Sequence, residues 1–169
     1  MTPAYLRTKE ADSGLVIDYR NWQLSLGRRF RSIKLWFVMR SYGVEGLQRH
    51  LRNGIEQCKQ LGKIIESTPD FELVTPPSLA LLSFRLKPTG VPESELNELN
   101  ADLQSRLAHH PEVILTQTVL KAAEGTNIYC IRFALGQMRT TMQDITEVWD
   151  VVKAEANATV QAYAAKAKN

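Results

Sequence analysis

The sequence predicts an α+β fold: an antiparallel sheet with helices on one face, preceded by a tail of different character. Three observations predict it. Apolar residues recur at three- or four-residue spacing in three long stretches, near 44–65, 96–107 and 145–163. Between them lie paired β-prone runs, each pair close in sequence and separated by turn residues. The order from residue 44 is therefore α–β–β–α–β–β–α. Hairpins dominate it, which favours antiparallel pairing over parallel crossovers. The expected division is a tail at 1–43 and a compact domain at 44–169.

The elements follow in order. Residues 1–19 are mostly polar, with Pro3 and the turn-like Asp12-Ser13-Gly14, and read as a loop. Trp22 to Gly27 reads as extended. Arg28 to Tyr42 has helical spacing, with Phe30, Ile33 and Phe37 on one stripe, and Gly43 closes it as a C′ glycine. The next helix carries Val44, Leu47, Leu51, Ile55, Cys58, Leu61 and Ile65, and Pro69 follows it. Phe71–Val74 is a short strand that Pro76-Pro77 should interrupt, and Leu79–Leu86 is a second. Leu96, Leu99, Leu103 and Leu107 mark a helix from Pro92 to Ala108. Val113–Leu120 and Ile128–Leu135 form a hairpin across Glu124–Asn127. Thr140-x-x-Gln143 fits a capping box opening a last helix, whose alanine-rich end from Ala162 should fray.

Composition bounds the function. Hydrophobic content of 44% supports a packed core, and a net charge of +3 gives no case for a dedicated polyanion binder. The charge is nevertheless uneven: Arg28, Arg29, Arg31, Lys34, Arg40, Arg49 and Arg52 face only Glu45 over their span, whereas acids gather at 93–102 and 144–155. Read as a nucleic-acid site, the basic-aromatic stretch would need exposed rings for base stacking. The shared helical stripe of Phe30, Ile33 and Phe37 instead predicts core, with the arginines snorkelling around it. Cys58 and Cys130 read as buried free thiols of a reducing compartment. No zinc spacing, P-loop, GxSxG or HExxH occurs, and His50, His109 and His110 suggest no metal or catalytic role. The N-terminus lacks an apolar signal region and no apolar run is long enough to span a bilayer, so a cytoplasmic protein is expected.

The run from Asp18 to Trp36 carries the one specific motif. It resembles, without a gap, the pattern D-Y-[RK]-x-W-Q-[IL]-x-L-[GS]-R-R-F-R-S-[LIM]-K-[LM]-W of the aromatic-L-amino-acid decarboxylases, pyridoxal-phosphate enzymes of the tyrosine, tryptophan and DOPA decarboxylase type. Weaker similarity continues through Tyr42-Gly43-Val44, Asp70-Phe71-Glu72, Phe84-Arg85-Leu86 and Arg132-Phe133-Ala134. The resemblance covers nearly the whole chain but only the C-terminal third of the family's enzyme. It implies that 44–169 is the small C-terminal domain of a fold-type I enzyme, and that 1–43 is a catalytic loop and linker helix from the end of the large domain.

Residue roles follow from that resemblance alone. Tyr5 matches the catalytic-loop tyrosine whose phenol protonates the carbon left when carbon dioxide departs. Relatives with phenylalanine there tend toward aldehydes, so Tyr5 implies amine formation. Asp12-Ser13-Gly14 would share that loop, which closes to exclude water. Gly27, with Leu26 beside it, matches the position lining the substrate-ring pocket, where glycine leaves room for an indole. Asp18, Arg20, Arg28 and Arg29 would support the base of the loop. The resemblance implies pyridoxal 5′-phosphate as cofactor, aromatic L-amino acids as substrates and a homodimer, with no nucleic-acid or membrane partner and no metal. The family's cofactor lysine lies in an Asn-x-x-His-Lys context that this sequence lacks. The expectation is thus a fragment, inactive alone. The alternative is a free-standing interaction module that binds a full-length homologue without catalysis.

Overall fold

The computed structural model describes residues 9–22, 29–122 and 125–166. The chain divides into two compact units, Met1–Gly43 and Val44–Asn169. In the first unit, residues expected to be loop form a single helical turn, α1 (Lys9–Asp12). The turn closes with a Schellman pattern: Leu15 N–H donates to the Glu10 carbonyl (3.0 Å), and Gly14 N–H to that of Ala11 (3.2 Å). A 3-10 turn, Tyr19–Trp22, follows. Its two aromatic rings meet edge to face with centroids 5.3 Å apart.

Helix α2 (Ser32–Ser67) begins later than expected and runs through Gly43, where the backbone leaves helical geometry at φ 60, ψ −179. That combination is open essentially only to glycine. Gly43 therefore interrupts the helix, which resumes at once, rather than leading it into a loop. The two segments behave differently. Beyond Gly43, Cys58, Leu61 and Ile65 are fully buried, as the periodicity predicts, although Val44 and Leu51 from the same pattern are exposed. Before Gly43, Phe30, Ile33 and Phe37 are 73%, 40% and 56% exposed. They do not belong to the core among the described residues. The stripe is apolar, but nothing among the described residues covers it.

The second unit is an α+β layer. Strands β1 (Phe71–Ser78), β2 (Leu81–Leu86), β3 (Thr116–Lys121) and β4 (Asn127–Ala134) form one sheet in the order β1-β2-β4-β3, with every neighbouring pair antiparallel. Against expectation, β1 passes through Pro76 and Pro77. It can do so because it is an edge strand, where a missing N–H need not leave a ladder bond unmade. The ladder with β2 shifts register twice, between Leu73 and Thr75 and between Thr75 and Ser78.

Helices α3 (Leu96–Ala108) and α4 (Met142–Lys166), with the second segment of α2, pack on one face of this sheet. A single apolar cluster joins Leu61 and Ile65, Leu99 and Leu103, and Trp149 and Val152 to the inward strand residues Leu82, Phe84, Leu86, Ile131 and Phe133. Gly62 lets α2 approach β1: a Cβ there would sit 2.6 Å from Pro77 Cγ. At the start of α4 the reciprocal cap is one residue later than predicted. Thr141 N–H donates to Asp144 Oδ2 (2.8 Å) and Asp144 N–H to Thr141 Oγ1 (3.2 Å). Thr140 is otherwise engaged, its carbonyl accepting from Gln57 Nε2 at 2.7 Å. Helix α4 stays helical through Lys166, well into the alanine-rich stretch.

Candidate functional site

Of the residues expected to carry chemistry, Tyr5, Leu26, Gly27 and Arg28 lie outside the described residues. Asp18 is half-buried just ahead of the 3-10 turn, the backbone of Arg20 forms part of that turn, and Arg29 is exposed. Arg29 also accepts, through its carbonyl, the N–H of Arg31 at 2.8 Å. The basic residues of helix 32–42 are exposed along with its aromatics. Trp36 and Phe37 contact each other edge to face, with centroids 5.1 Å apart.

The second unit holds a polar constellation on the sheet face away from the helices. Alternation along β2 sends Leu82, Phe84 and Leu86 inward and Ser83 and Arg85 outward, yet both outward residues are buried. Arg85, its side chain 6% exposed, is held by two carboxylates. Its Nη2 lies 2.7 Å from Glu72 Oε2 and its Nη1 2.5 Å from Glu93 Oε1. Lys87 Nζ bridges the same two acids at 3.2 and 3.6 Å. Cys130, on the neighbouring strand, is fully buried and reduced, as is Cys58. Burial pushes both thiols up, so neither is a reactive thiolate.

Burial by itself would push the Glu72 carboxyl up. Hydrogen bonds from Arg85 and Lys87, and their charges, outweigh it and hold Glu72 below its ordinary value of 4.5. The folded value is the lower one, so this stabilisation is complete above the unfolded value and is lost as pH falls through the folded value. Arg85→Met is expected to cost roughly 2 kcal/mol at neutral pH, less than for a fully enclosed pair because both carboxylates stay open to water. The gap between wild type and variant should narrow as pH falls below 4.5 and Glu72 protonates. Urea unfolding at a series of pH values measures this. A gap independent of pH would show that the ion pairs contribute nothing.

Two asparagines of α3 escaped notice in the sequence. Asn100 accepts from Leu86 N–H (2.7 Å) and donates to the Leu86 carbonyl (2.8 Å), serving the end of β2 as a further strand would. Asn97 does the same for β4, through Tyr129 N–H and the Asn127 carbonyl, both at 2.8 Å. Their i, i+3 spacing beside the leucine stripe was the available signal.

A pyridoxal phosphate site can be tested against these residues. It needs a lysine amine in an enclosed space that can capture the cofactor's aldehyde. Of the eight lysines among the described residues, seven are exposed. The eighth, Lys153, is half-buried with its ammonium 2.7 Å from Asp150. The described residues thus do not hold this cofactor by themselves. They also contain no cluster of His, Cys, Asp and Glu able to bind a metal, and no helix long and apolar enough to cross a membrane.

Comparison with known proteins fits the Asp18–Trp36 motif. Residues 1–87, just over half of the chain, match the model of the pyridoxal-dependent decarboxylase conserved domain. The chain is 37% identical over 151 residues to an aromatic-L-amino-acid decarboxylase of Catharanthus roseus, covering 89% of this chain and 29% of that protein. It is 36% identical over 155 residues to a phenylacetaldehyde synthase of Arabidopsis thaliana, covering 92% and 31%. Among solved structures, Oryza sativa TDC with PLP and tryptamine superposes with a TM-score of 0.68 at 31% identity, over 94% of this chain and 32% of that one. The α+β architecture is therefore part of a known pyridoxal-enzyme fold, and the chain spans about a third of the length of the relatives it matches. With the motif, the family match over residues 1–87 and the shared fold in agreement, the chain belongs to the pyridoxal-dependent decarboxylase family.

Proposed function

We propose that this chain is the C-terminal portion of a pyridoxal-phosphate-dependent carboxy-lyase that converts aromatic L-amino acids to amines. In this reading residues 1–43 close the large domain, residues 44–169 are the small domain, and the complete enzyme is a cytoplasmic homodimer. The observation that carries it is the near-full coverage of this chain by relatives named as decarboxylases of aromatic amino acids. Two reduced, buried thiols suit a cytoplasmic setting. Tyr5 holds the proton that replaces the departing carboxylate on the substrate carbon, and the loop containing it excludes water. Leu26 and Gly27 line the space for the aromatic ring, Gly27 leaving room for an indole. Asp18, Arg20, Arg28 and Arg29 support the loop base. The cofactor's electron sink belongs to the larger portion of the complete protein.

The exposure of the lysines among the described residues favours one second reading. A chain without an enclosed lysine among its described residues, but with a self-contained core in its second unit, could serve as an interaction module for a full-length homologue. One experiment separates the two. The larger portion of the Catharanthus roseus enzyme, up to the start of similarity, is joined to this chain and supplied with pyridoxal phosphate and L-tryptophan, L-tyrosine or L-DOPA. The chimera is expected to release the amine, and the 169-residue chain alone to release none. A soluble chimera without activity would favour the module. Amine from the chain alone would overturn the assignment of the cofactor site to the larger portion.

A further inference from the structure

The ladder between β3 and β4 stops short at one end of the sheet. Its last pair is Thr116–Arg132, whereas β4 continues to Ala134, paired there with β2 alone. Ile114, which a longer ladder would set opposite Ala134, is 93% exposed. Gln104 of α3 ties down the same segment, its Nε2 donating to the Leu115 carbonyl at 2.9 Å. Leu135 N–H donates to the Ala80 carbonyl, on the β2 side. Backbone groups alternate sides along a strand, so the N–H and C=O of Ala134 face the gap that residues 113–115 leave. A cleft of about 380 Å³ opens there and reaches the first turns of α4. Sites for small molecules run from about 300 to 1,000 Å³.

The lining combines three chemistries. Val113, Leu115, Phe133, Leu135, Ile145 and Val148 make it largely apolar. Arg132 adds a half-buried cation. Its Nε and Nη2 both donate to Thr116 Oγ1, at 3.2 and 3.1 Å, and no carboxylate pairs with it among the described residues. A guanidinium held only by a neutral hydroxyl is suited to a carboxylate. Glu112 and Asp144 add two anions. Thr141 engages Asp144 through Oδ2, and those hydrogen bonds favour its charged form. A phosphate would be repelled by the two carboxylates, and a fatty acid would leave them unmatched. A carboxylate and an ammonium on one carbon, with a bulky apolar group attached, match all three. We infer that this cleft binds a free α-amino acid with a large apolar side chain, its carboxylate on Arg132 and its ammonium toward Glu112 and Asp144. No lysine lines the cleft, so the ligand is held without covalent capture. The site lies wholly within the second unit. It goes beyond the functional reading, because it needs neither the cofactor nor the larger portion.

Calorimetric titration of the 169-residue chain with L-phenylalanine is expected to show one saturable site. Phenethylamine, which lacks the carboxylate, and 3-phenylpropionate, which lacks the ammonium, should each bind at least ~10-fold more weakly. Arg132→Met should remove the advantage of L-phenylalanine over phenethylamine and leave phenethylamine itself unaffected. Amide hydrogen exchange locates the ligand, with protection expected in peptides spanning 112–116 and 132–137. Equal affinity for the three ligands would make the cleft a nonspecific apolar surface and overturn the inference. So would absence of saturation at millimolar L-phenylalanine, or protection confined to residues 23–28 or 30–42. If Arg132→Met fails to fold, the ligand series on the unaltered chain still decides. None of these readouts involves catalysis, so they stand or fall separately from the activity of the chimera.

Discussion

Replacing Tyr5 with phenylalanine in the active chimera is expected to cut amine formation by about 100-fold or more, the usual contribution of a positioned proton donor. Phenylalanine keeps the ring and removes only the hydroxyl, so binding of the aromatic substrate should change little. The amino acid should still be consumed, with part of the flux emerging as an aldehyde. An aldehyde lies two electrons above the amine, so that flux needs an oxidant and should fall when oxygen is excluded. Both product types occur around this sequence: relatives include decarboxylases and phenylacetaldehyde synthases of similar identity. Chromatographic measurement of amine and aldehyde, with and without oxygen, reads the ratio directly. Unchanged amine output would remove Tyr5 from the proton-transfer step. A uniform loss of both products would make it a substrate-binding group instead.

The second large effect concerns folding. Trp149 is 1% exposed and sits where α4 meets β1 and β2. Its ring lies 4.8 Å from that of Phe71 and 5.3 Å from that of Phe84, and its indole N–H donates to Thr68 Oγ1 at 3.3 Å. Trp149→Ala should destabilise the second unit by about 3–5 kcal/mol, because the surrounding strands cannot collapse into the space. Trp149→Phe should cost markedly less, since a six-membered ring still packs against Phe84, although the N–H and part of the indole's volume are lost. Urea denaturation followed by circular dichroism ranks the three proteins. Domains of this size are stable by only about 5–15 kcal/mol, so the alanine variant should approach marginal stability. A loss below about 1 kcal/mol would mean that the three-ring contact is not central to the core.

These contacts show what the sequence made legible. Cys58, Leu61 and Ile65, the four leucines of α3, and Ile145, Trp149, Val152 and Ala156 were all predicted inward by spacing, and all are buried. Periodicity reports which face of an element is apolar, and the covering surface for these residues lies in the same unit. Phe30, Ile33 and Phe37 obey the same rule and are exposed, because periodicity does not say which molecule supplies the cover. The cap of α4 slipped by one residue because adjacent threonines each had an eligible partner three positions on. Only the hydrogen-bond geometry distinguishes Thr141–Asp144 from Thr140–Gln143. The residues expected at the candidate site rest on a motif, and Tyr5, Leu26, Gly27 and Arg28 lie outside the described residues. The polar cluster around Arg85 joins β1, β2 and the 3-10 turn Glu93–Glu95, so no local pattern could reveal it.

The two prolines of β1 have a consequence for how copies of this protein behave when crowded. A sheet of four strands has two open margins, and each is a template on which another chain can crystallise into a ladder. On the β1 margin, Pro76 and Pro77 offer no N–H, and the two register shifts spoil the regular repeat a newcomer would need. On the other margin, β3 pairs with β4 in unbroken register over six residues and contains no proline. Growth of the sheet by strand addition is thus hindered more on the β1 margin than on the β3 margin. Ordered polymerisation of partly unfolded copies would start more readily at Thr116–Lys121, and a single proline placed within β3 would hinder that margin as well.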